Sequence, residues 1–256
     1  MKFVSELDQR KAICEIGRRM WERNYVAATD GNISVRLSPD RYLCTPSGVS
    51  KGFMDPNDLV IADGQGNKLE GDGKVTSEFF THLAAYEERS DIQAVVHAHP
   101  PKAIGFSLAG VSLAECILPE VIYSIGGIPT TEYATPATRE GSEVLREYIR
   151  QCDAVMLDRH GSITVGKDVL DAYLKLEKLE HACESLLVAH SLGHIRRLDP
   201  AEINKLKDVR ITYGVSGLAY PCEPSEEGDS CGCAPDLPES DTLDATIKRT
   251  LKTLGA

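Results

Sequence analysis

The sequence predicts an α/β layered domain whose central sheet is mixed rather than purely parallel. Strand-like runs rich in Val, Ile and Tyr, separated by Gly- and Pro-containing turns, fill residues 33–62 and read as hairpin strands. Further strand-like runs alternate with stretches of helical period at 76–86, 140–150 and 168–190. Hairpins interleaved with helices give a layered sheet whose strands do not all run one way. At 256 residues and 42% hydrophobic content the chain can bury a full core, as one large domain with an appendage.

The elements follow in order. Residues 5–26 are predicted helical, because Leu7, Ile13, Ile16, Met20 and Trp21 recur at roughly helical spacing. A loop at 27–32 feeds the strand Ile33–Leu37, and a second strand, Arg41–Cys44, ends at the turn Thr45-Pro46-Ser47-Gly48. Asp58–Ala62 and the glycine-rich Asp63–Asn67 predict a third strand and a hairpin. A helix is expected to begin at Thr76-Ser77-Glu78, since hydroxyl side chains cap helices well and Phe79, Leu83 and Tyr86 form one apolar face. Ile92–Val96 reads as a strand leading into His97-Ala98-His99, and Pro100-Pro101 cuts it off.

Downstream, short strands are expected around Gly126-Gly127 within 120–133. A helix follows over 140–150, then strands at 154–157 and 162–165 and a long helix from about Asp168 to His190. Composition shifts near 214. Residues 1–215 form the main domain, and 216–256 an acidic, cysteine-containing extension expected to be flexible.

The net charge is −11. Seven acidic residues between 223 and 241, with no Lys or Arg among them, account for much of it; the remainder carries −4. That balance excludes a nucleic-acid partner but leaves room for a phosphorylated substrate held by local donors. The N-terminus has no apolar signal region and no segment is long enough to span a membrane, so neither export nor a membrane role is expected. Cys14, Cys44, Cys116, Cys152 and Cys183 sit in apolar surroundings and read as buried thiols, which fits a reducing cytoplasm. Cys222, Cys231 and Cys233 in the extension match no familiar zinc module and read as a redox-tolerant appendage.

Three short signals carry chemistry. On a strand, His97 and His99 point to one face about 6.5–7 Å apart, so their imidazoles can converge on one ion. With His160 from a second strand end they make a three-histidine set with an open fourth position, as a catalytic Zn²⁺ requires. Such an ion polarises a carbonyl and stabilises an enediolate. His82, His181, His190 and His194 fall on helices or their ends and read as structural. Glu78 alone is a favourable charge near a helix N-terminus; beside a metal it is a candidate proton shuttle. Gly31-Asn32, Ser47-Gly48 and Thr76-Ser77 are each a turn or cap, and together a candidate uncharged phosphate cradle. No Walker or dinucleotide fingerprint occurs; Gly64-Gln65-Gly66 sits in a hairpin with no helix after it.

Gly31-Asn32-Ile33-Ser34-Val35-Arg36, Thr45-Pro46-Ser47-Gly48, Ser77-Glu78, His97-Ala98-His99 and Arg159-His160-Gly161 together resemble the class II aldolase/adducin family, most of all its L-fuculose-1-phosphate aldolase branch. The resemblance covers roughly residues 5–215. It implies a three-layer α/β/α sandwich with a mostly antiparallel central sheet, and a homotetramer with active sites at subunit interfaces. It implies Zn²⁺, with Mn²⁺ or Co²⁺ as other candidates, on His97, His99 and His160, and Glu78 as acid/base. The phosphate site falls on Gly31, Asn32, Ser47, Gly48, Thr76 and Ser77. A C-terminal tyrosine brought in from a neighbouring subunit falls on Tyr213, an aromatic at a helix end. The family's other tyrosine has no clean match; Glu120 and Tyr123 lie in that segment and are assigned no role.

The implied activity is reversible cleavage of a ketose 1-phosphate (L-fuculose 1-phosphate, or a 5-deoxy- or methylthio-pentulose 1-phosphate) to dihydroxyacetone phosphate and an aldehyde. Pentulose-5-phosphate 4-epimerases of the family are one alternative, although they carry a shorter aspartate where this chain has Glu78, which favours the aldolase. A methylthioribulose-1-phosphate dehydratase retains the glutamate and stays as an alternative, as do the family's decarboxylases. The non-enzyme alternative is an adducin-like assembly domain, a class that lacks the metal ligands this chain keeps.

Overall fold

The computed structural model describes residues 5–115, 117–193 and 195–221. Seven strands form one sheet in the order β4-β3-β2-β1-β5-β7-β6. They are β1 (Asn32–Ser38), β2 (Arg41–Cys44), β3 (Val60–Ala62), β4 (Lys68–Glu70), β5 (Ala94–Ala98), β6 (Ala154–Leu157) and β7 (Gly161–Gly166). Every ladder between neighbouring strands is antiparallel, and the parallel element is limited to isolated bridges such as Thr130–Met156. Three of the six neighbouring pairs, β1–β2, β3–β4 and β6–β7, are joined by two to five residues, and these are the hairpins that turn residues make legible in the sequence.

Helices cover both faces. On one side α1 (Glu6–Glu22) and α6 (Val169–Leu192) pack Ile13, Ile16, Met20, Tyr173 and Leu176 against Ile33, Val35, Ala94 and Val96. On the other, α2 (Phe79–Glu88) and α5 (Arg139–Ile149) pack Phe79, Leu83, Tyr86, Leu145 and Ile149 against Val95, Val155, Ile163 and Val165. Alternate residues of each strand thus serve opposite layers. His97, two positions from Val95, consequently faces the α2 side. Ser5 opens α1 with a reciprocal capping box to Asp8, which agrees with the expected helix start.

Three elements differ from expectation. Residues 119–124 form a helix, α4 (Pro119–Ser124), in place of the first of the expected short strands. Pro119 at its N-terminus costs no helix hydrogen bond, and Val121 and Ile122 are buried. Beyond it, Gly126 to Thr130 make isolated bridges to Tyr220, Leu113 and Met156 without a strand of their own. Likewise Pro101, the second of the strand-ending prolines, begins α3 (Pro101–Leu108). The Glu180 carboxylate, buried on α6, accepts from the free N–H groups of Lys102 and Ala103 at that helix start.

A last helix, α7 (Pro200–Thr212), is followed by a segment that stays in contact with this domain past residue 215. Arg210 donates to the carbonyls of Tyr123, Ser124, Ser216 and Gly217, and Tyr220 bridges Gly126 and Gly127. Leu218 N–H donates to Asp153 Oδ1 at 3.1 Å. Asp153 is itself buried between Arg89 and Lys175, with contacts of 2.9 and 2.8 Å. Cys222, Cys231 and Cys233 lie outside the described residues, as do Cys116 and His194. Of the described thiols, Cys44, Cys152 and Cys183 are buried and Cys14 half-buried, all free. No helix among the described residues is long and apolar enough to cross a membrane.

Candidate metal and phosphate site

Adjacent strands and one hairpin turn deliver the histidines. His97 sits in β5, paired to Asn32 of β1 and Ile163 of β7, so its backbone is held from both sides. His99 lies one residue past the strand, fixed by its N–H on the Tyr25 carbonyl at 2.8 Å. His160 closes the β6–β7 turn. Its N–H donates to the Leu157 carbonyl, and Arg159 before it is in the left-handed region at φ +54°. Ser107 of α3 braces that turn, donating to Asp158 Oδ1 and accepting from the Arg159 N–H.

The three rings converge. Their centroids are 4.8 to 5.1 Å apart, and one nitrogen of each lies within 4.8 Å of the others. His97 Nδ1 lies 3.0 Å from the Ser162 carbonyl. A carbonyl only accepts, so Nδ1 carries a hydrogen and Nε2 points to the centre, where loss of the Nε2 proton that it shares with Glu78 would expose a lone pair to a metal. His97 Nε2 is 3.0 Å from His99 Nε2, whose other nitrogen faces Asp30 Oδ2 at 3.5 Å. Three imidazoles with orienting acceptors behind two of them fit a divalent metal. Burial and the neighbouring imidazoles push the His99 pKa down to about 4, which keeps that ring a neutral donor.

Glu78 stands against this cluster. One carboxylate oxygen is 3.0 Å from His97 Nε2, the other 3.2 Å from His160 Nε2. Burial pushes its pKa upward. The charge of His97 and hydrogen bonds from His160, His97 and Asn32 outweigh that and hold it far below the usual carboxylate range. Glu78, not a hydroxyl residue, is the N-cap of α2, and its side chain makes no capping bond. Thr76 Oγ1 accepts weakly from the Glu78 N–H at 3.4 Å, so the expected hydroxyl cap gives way to a carboxylate turned toward the histidines.

Asn32 also does more than expected. Its Nδ2 donates to Glu78 Oε2 at 2.9 Å, tying the carboxylate to β1, while its buried Oδ1 has no partner among the described residues. His82, fully buried on α2, bonds Ser34 Oγ through Nδ1 at 2.7 Å. Its pKa falls to about 3, first through burial and then through the charge of His97.

All six expected phosphate residues line one cavity of about 260 Å³, together with Glu78, His99 and His160. Gly31 and Gly48 have φ of +72° and +75°, a region that side-chain-bearing residues rarely adopt. A Cβ on Gly48 would meet nothing within 4 Å, so this turn lies open to the cavity. Pro136 and Ala137 form part of the opposite wall. Lys51, 1% exposed, lines it too, a residue that sequence reasoning missed and that corrects the picture of an uncharged cradle.

The remaining candidates lie elsewhere. Tyr213 caps α7, is 76% exposed, and lines no part of this cavity. Glu120 borders a separate, larger cavity of about 1080 Å³ beside Lys178 of α6, and the Lys178 ammonium lies over the Tyr123 ring at 5.5 Å. Neither Glu120 nor Tyr123 lines the histidine cavity.

Residues 11–187 match the family model described as Class II Aldolase and Adducin N-terminal domain. An L-fuculose phosphate aldolase of Methanococcus maripaludis is 35% identical over 178 residues, covering 70% of this chain and 96% of the relative. A 3-oxo-tetronate 4-phosphate decarboxylase of Haemophilus influenzae is 30% identical over 209 residues, covering 80% of this chain and 99% of the relative. Among solved structures, YgbL of Escherichia coli superposes with a TM-score of 0.74 at 28% identity, covering 79% of this chain and 99% of YgbL.

Proposed function

This chain belongs to the class II aldolase and adducin family, and from that premise we propose that it is a zinc-dependent aldolase acting on a ketose 1-phosphate. The products are dihydroxyacetone phosphate and an aldehyde, with L-fuculose 1-phosphate or a 5-deoxy- or methylthio-pentulose 1-phosphate as substrate. One observation carries this reading: Glu78 and two of the three convergent imidazoles, His99 and His160, line the same small cavity as six neutral anion donors, with His97 completing the cluster behind them. A metal on His97, His99 and His160, with Mn²⁺ or Co²⁺ as substitutes for zinc, supplies Lewis-acid stabilisation of charge growing on the ketone oxygen.

The chain's own residues supply the rest. Gly31, Asn32, Ser47, Gly48, Thr76 and Ser77 bind the phosphate and so set which carbons face the histidines. As the C4 hydroxyl loses its proton, the C3–C4 bond breaks, the aldehyde departs and its electron pair stays on C3. Glu78 delivers the proton that C3 needs, and in the synthetic direction removes it. Asn32 holds the carboxylate in position for both. Tyr213 serves the C4 oxygen from a neighbouring subunit, a role that its exposure at the end of α7 permits within a homotetramer.

A second reading is favoured by the longer match to the decarboxylase relative, which reaches over 80% of this chain. In a 3-oxo-tetronate 4-phosphate, breaking the bond between the carboxylate and C2 releases carbon dioxide and leaves the electron pair on C2. Protonation there by Glu78 again yields dihydroxyacetone phosphate. The two reactions thus share a three-carbon phosphate half and differ only in the departing group.

The test incubates metal-loaded protein with a panel of ketose 1-phosphates and with 3-oxo-tetronate 4-phosphate, with and without chelator. Triose phosphate with an equimolar aldehyde, abolished by chelator, is the expected result. Triose phosphate with carbon dioxide, and none from any ketose, selects the decarboxylase. Water-loss products without triose phosphate select the dehydratase, and cleavage indifferent to chelator overturns the metal-dependent mechanism.

A further inference from the structure

Lys51 is a buried cation without an anion. Its side chain, in a 3₁₀ turn at Lys51–Phe53, is 1% exposed, and no carboxylate lies within 4 Å of its ammonium among the described residues. The ammonium donates to two backbone carbonyls, Thr29 at 2.8 Å and Val49 at 2.5 Å. Those carbonyls belong to the two loops that present Gly31-Asn32 and Ser47-Gly48. An ammonium has three hydrogens, so one remains unassigned on the wall of the phosphate cavity.

The charges on that wall make the case stronger. Of the lining residues, Asp30 and Glu78 are carboxylates and Lys51 is the one lysine or arginine. A phosphate dianion entering without Lys51 would meet only neutral donors and two carboxylates. Keeping a lysine desolvated is costly unless a counter-charge compensates it, and here the protein provides none within contact. Burial pushes Lys51 down to about 8, with Asp30 acting in the opposite sense, so the charged form is held at a disadvantage until an anion arrives.

We propose that Lys51 is the cationic element of the phosphate site, holding the two glycine loops together and pairing with the substrate's phosphate. The inference rests on the phosphate-cradle reading above and deepens it. It assigns recognition to a phosphate monoester dianion rather than to a neutral sugar, with the remaining N–H of Lys51 as donor.

The experiment reads phosphate binding without turnover. Full-length, metal-loaded protein carrying ¹⁵N-labelled lysine is titrated with inorganic phosphate, and the Lys51 Nζ resonance is assigned by its loss in Lys51→Arg. A saturable shift of that resonance is expected. Lys51→Met should weaken inorganic phosphate by about 10- to 100-fold, the range for a lost charge-assisted hydrogen bond. Lys51→Arg should retain most of the affinity, and metal content should be unchanged in both. With an active substrate, Lys51→Met should raise KM for the phosphorylated ketose by a larger factor than it lowers kcat. An unmoved Lys51 resonance at saturating phosphate overturns the proposal, as does a folded Lys51→Met that binds phosphate like wild type. Because the titration needs no cleavage, phosphate binding through Lys51 in a protein that cleaves no ketose phosphate would preserve this inference and refute the aldolase.

Discussion

Replacing Gly161 by alanine tests the geometry of the site by adding one methyl group. A Cβ there would lie 2.4 Å from the Ala98 carbonyl oxygen, 2.8 Å from His99 Cδ2 and 3.1 Å from His97 Cε1. Ordinary contact begins near 3.4 Å, so the largest overlap is about 1 Å, and it falls on backbone. Gly161 begins β7, whose next residue, Ser162, is paired with Ala98 of β5. Relieving the clash means opening that strand pair at the end from which His97, His99 and His160 project. Overpacking costs about 1–3 kcal/mol and a lost ladder hydrogen bond about 1 more, so Gly161→Ala should destabilise the protein by about 2–4 kcal/mol. Both imidazoles named would shift by several tenths of an ångström, and zinc affinity should fall about 10- to 100-fold, as for other losses of ligand support. Urea unfolding of the chelated protein reads the first quantity, and competition against a chromogenic chelator the second. Wild-type stability together with wild-type zinc affinity would refute the strand-end arrangement of the three ligands.

Other perturbations separate catalysis from architecture. Glu78→Gln should keep its metal and lose about 10²- to 10⁴-fold in kcat, since the amide cannot exchange the proton; full activity would remove Glu78 from the reaction. Asp153→Asn leaves Arg89 with Asp91 and Lys175 with Asp171 as their remaining carboxylate partners. A loss of about 1–3 kcal/mol in chemical denaturation is expected, the range for a charge-assisted hydrogen bond, and a change below about 0.5 would show that the cluster contributes little. His82 is neutral when folded, with its pKa lowered from 6.5 to about 3. The unfolded chain therefore binds the extra proton between those values, and stability falls as pH drops through that window by up to about 1.4 kcal/mol per pH unit. His82→Gln should flatten the fall between pH 6.5 and 5 in paired urea titrations; identical slopes would contradict the assignment.

Local pattern and tertiary outcome diverge at identifiable residues. The hairpin strands, the long helix at 169–192 and the His97 strand were legible because period and turn chemistry are local properties of the chain. Pro100-Pro101 end the His97 strand as expected, but the helices that start at Pro101 and Pro119 were not foreseen, since proline ends a strand and starts a helix equally well. The partners of Arg210 and Asp153 were not legible either, because they come from segments far apart in sequence that only packing unites.

By itself the sequence determined which residue types could do the chemistry: three imidazoles at strand ends, one glutamate, and paired glycine and hydroxyl donors in turns. These follow from spacing, and spacing is inherited directly from the chain. Tertiary structure alone decided how they are charged and held. It set Asn32 on the Glu78 carboxylate, turned His97 Nε2 inward through Ser162, and buried the Lys51 ammonium against the cradle with no carboxylate beside it. Electrostatics depends on burial and on neighbours brought here from 22 to 65 residues away, and no local pattern carries that information.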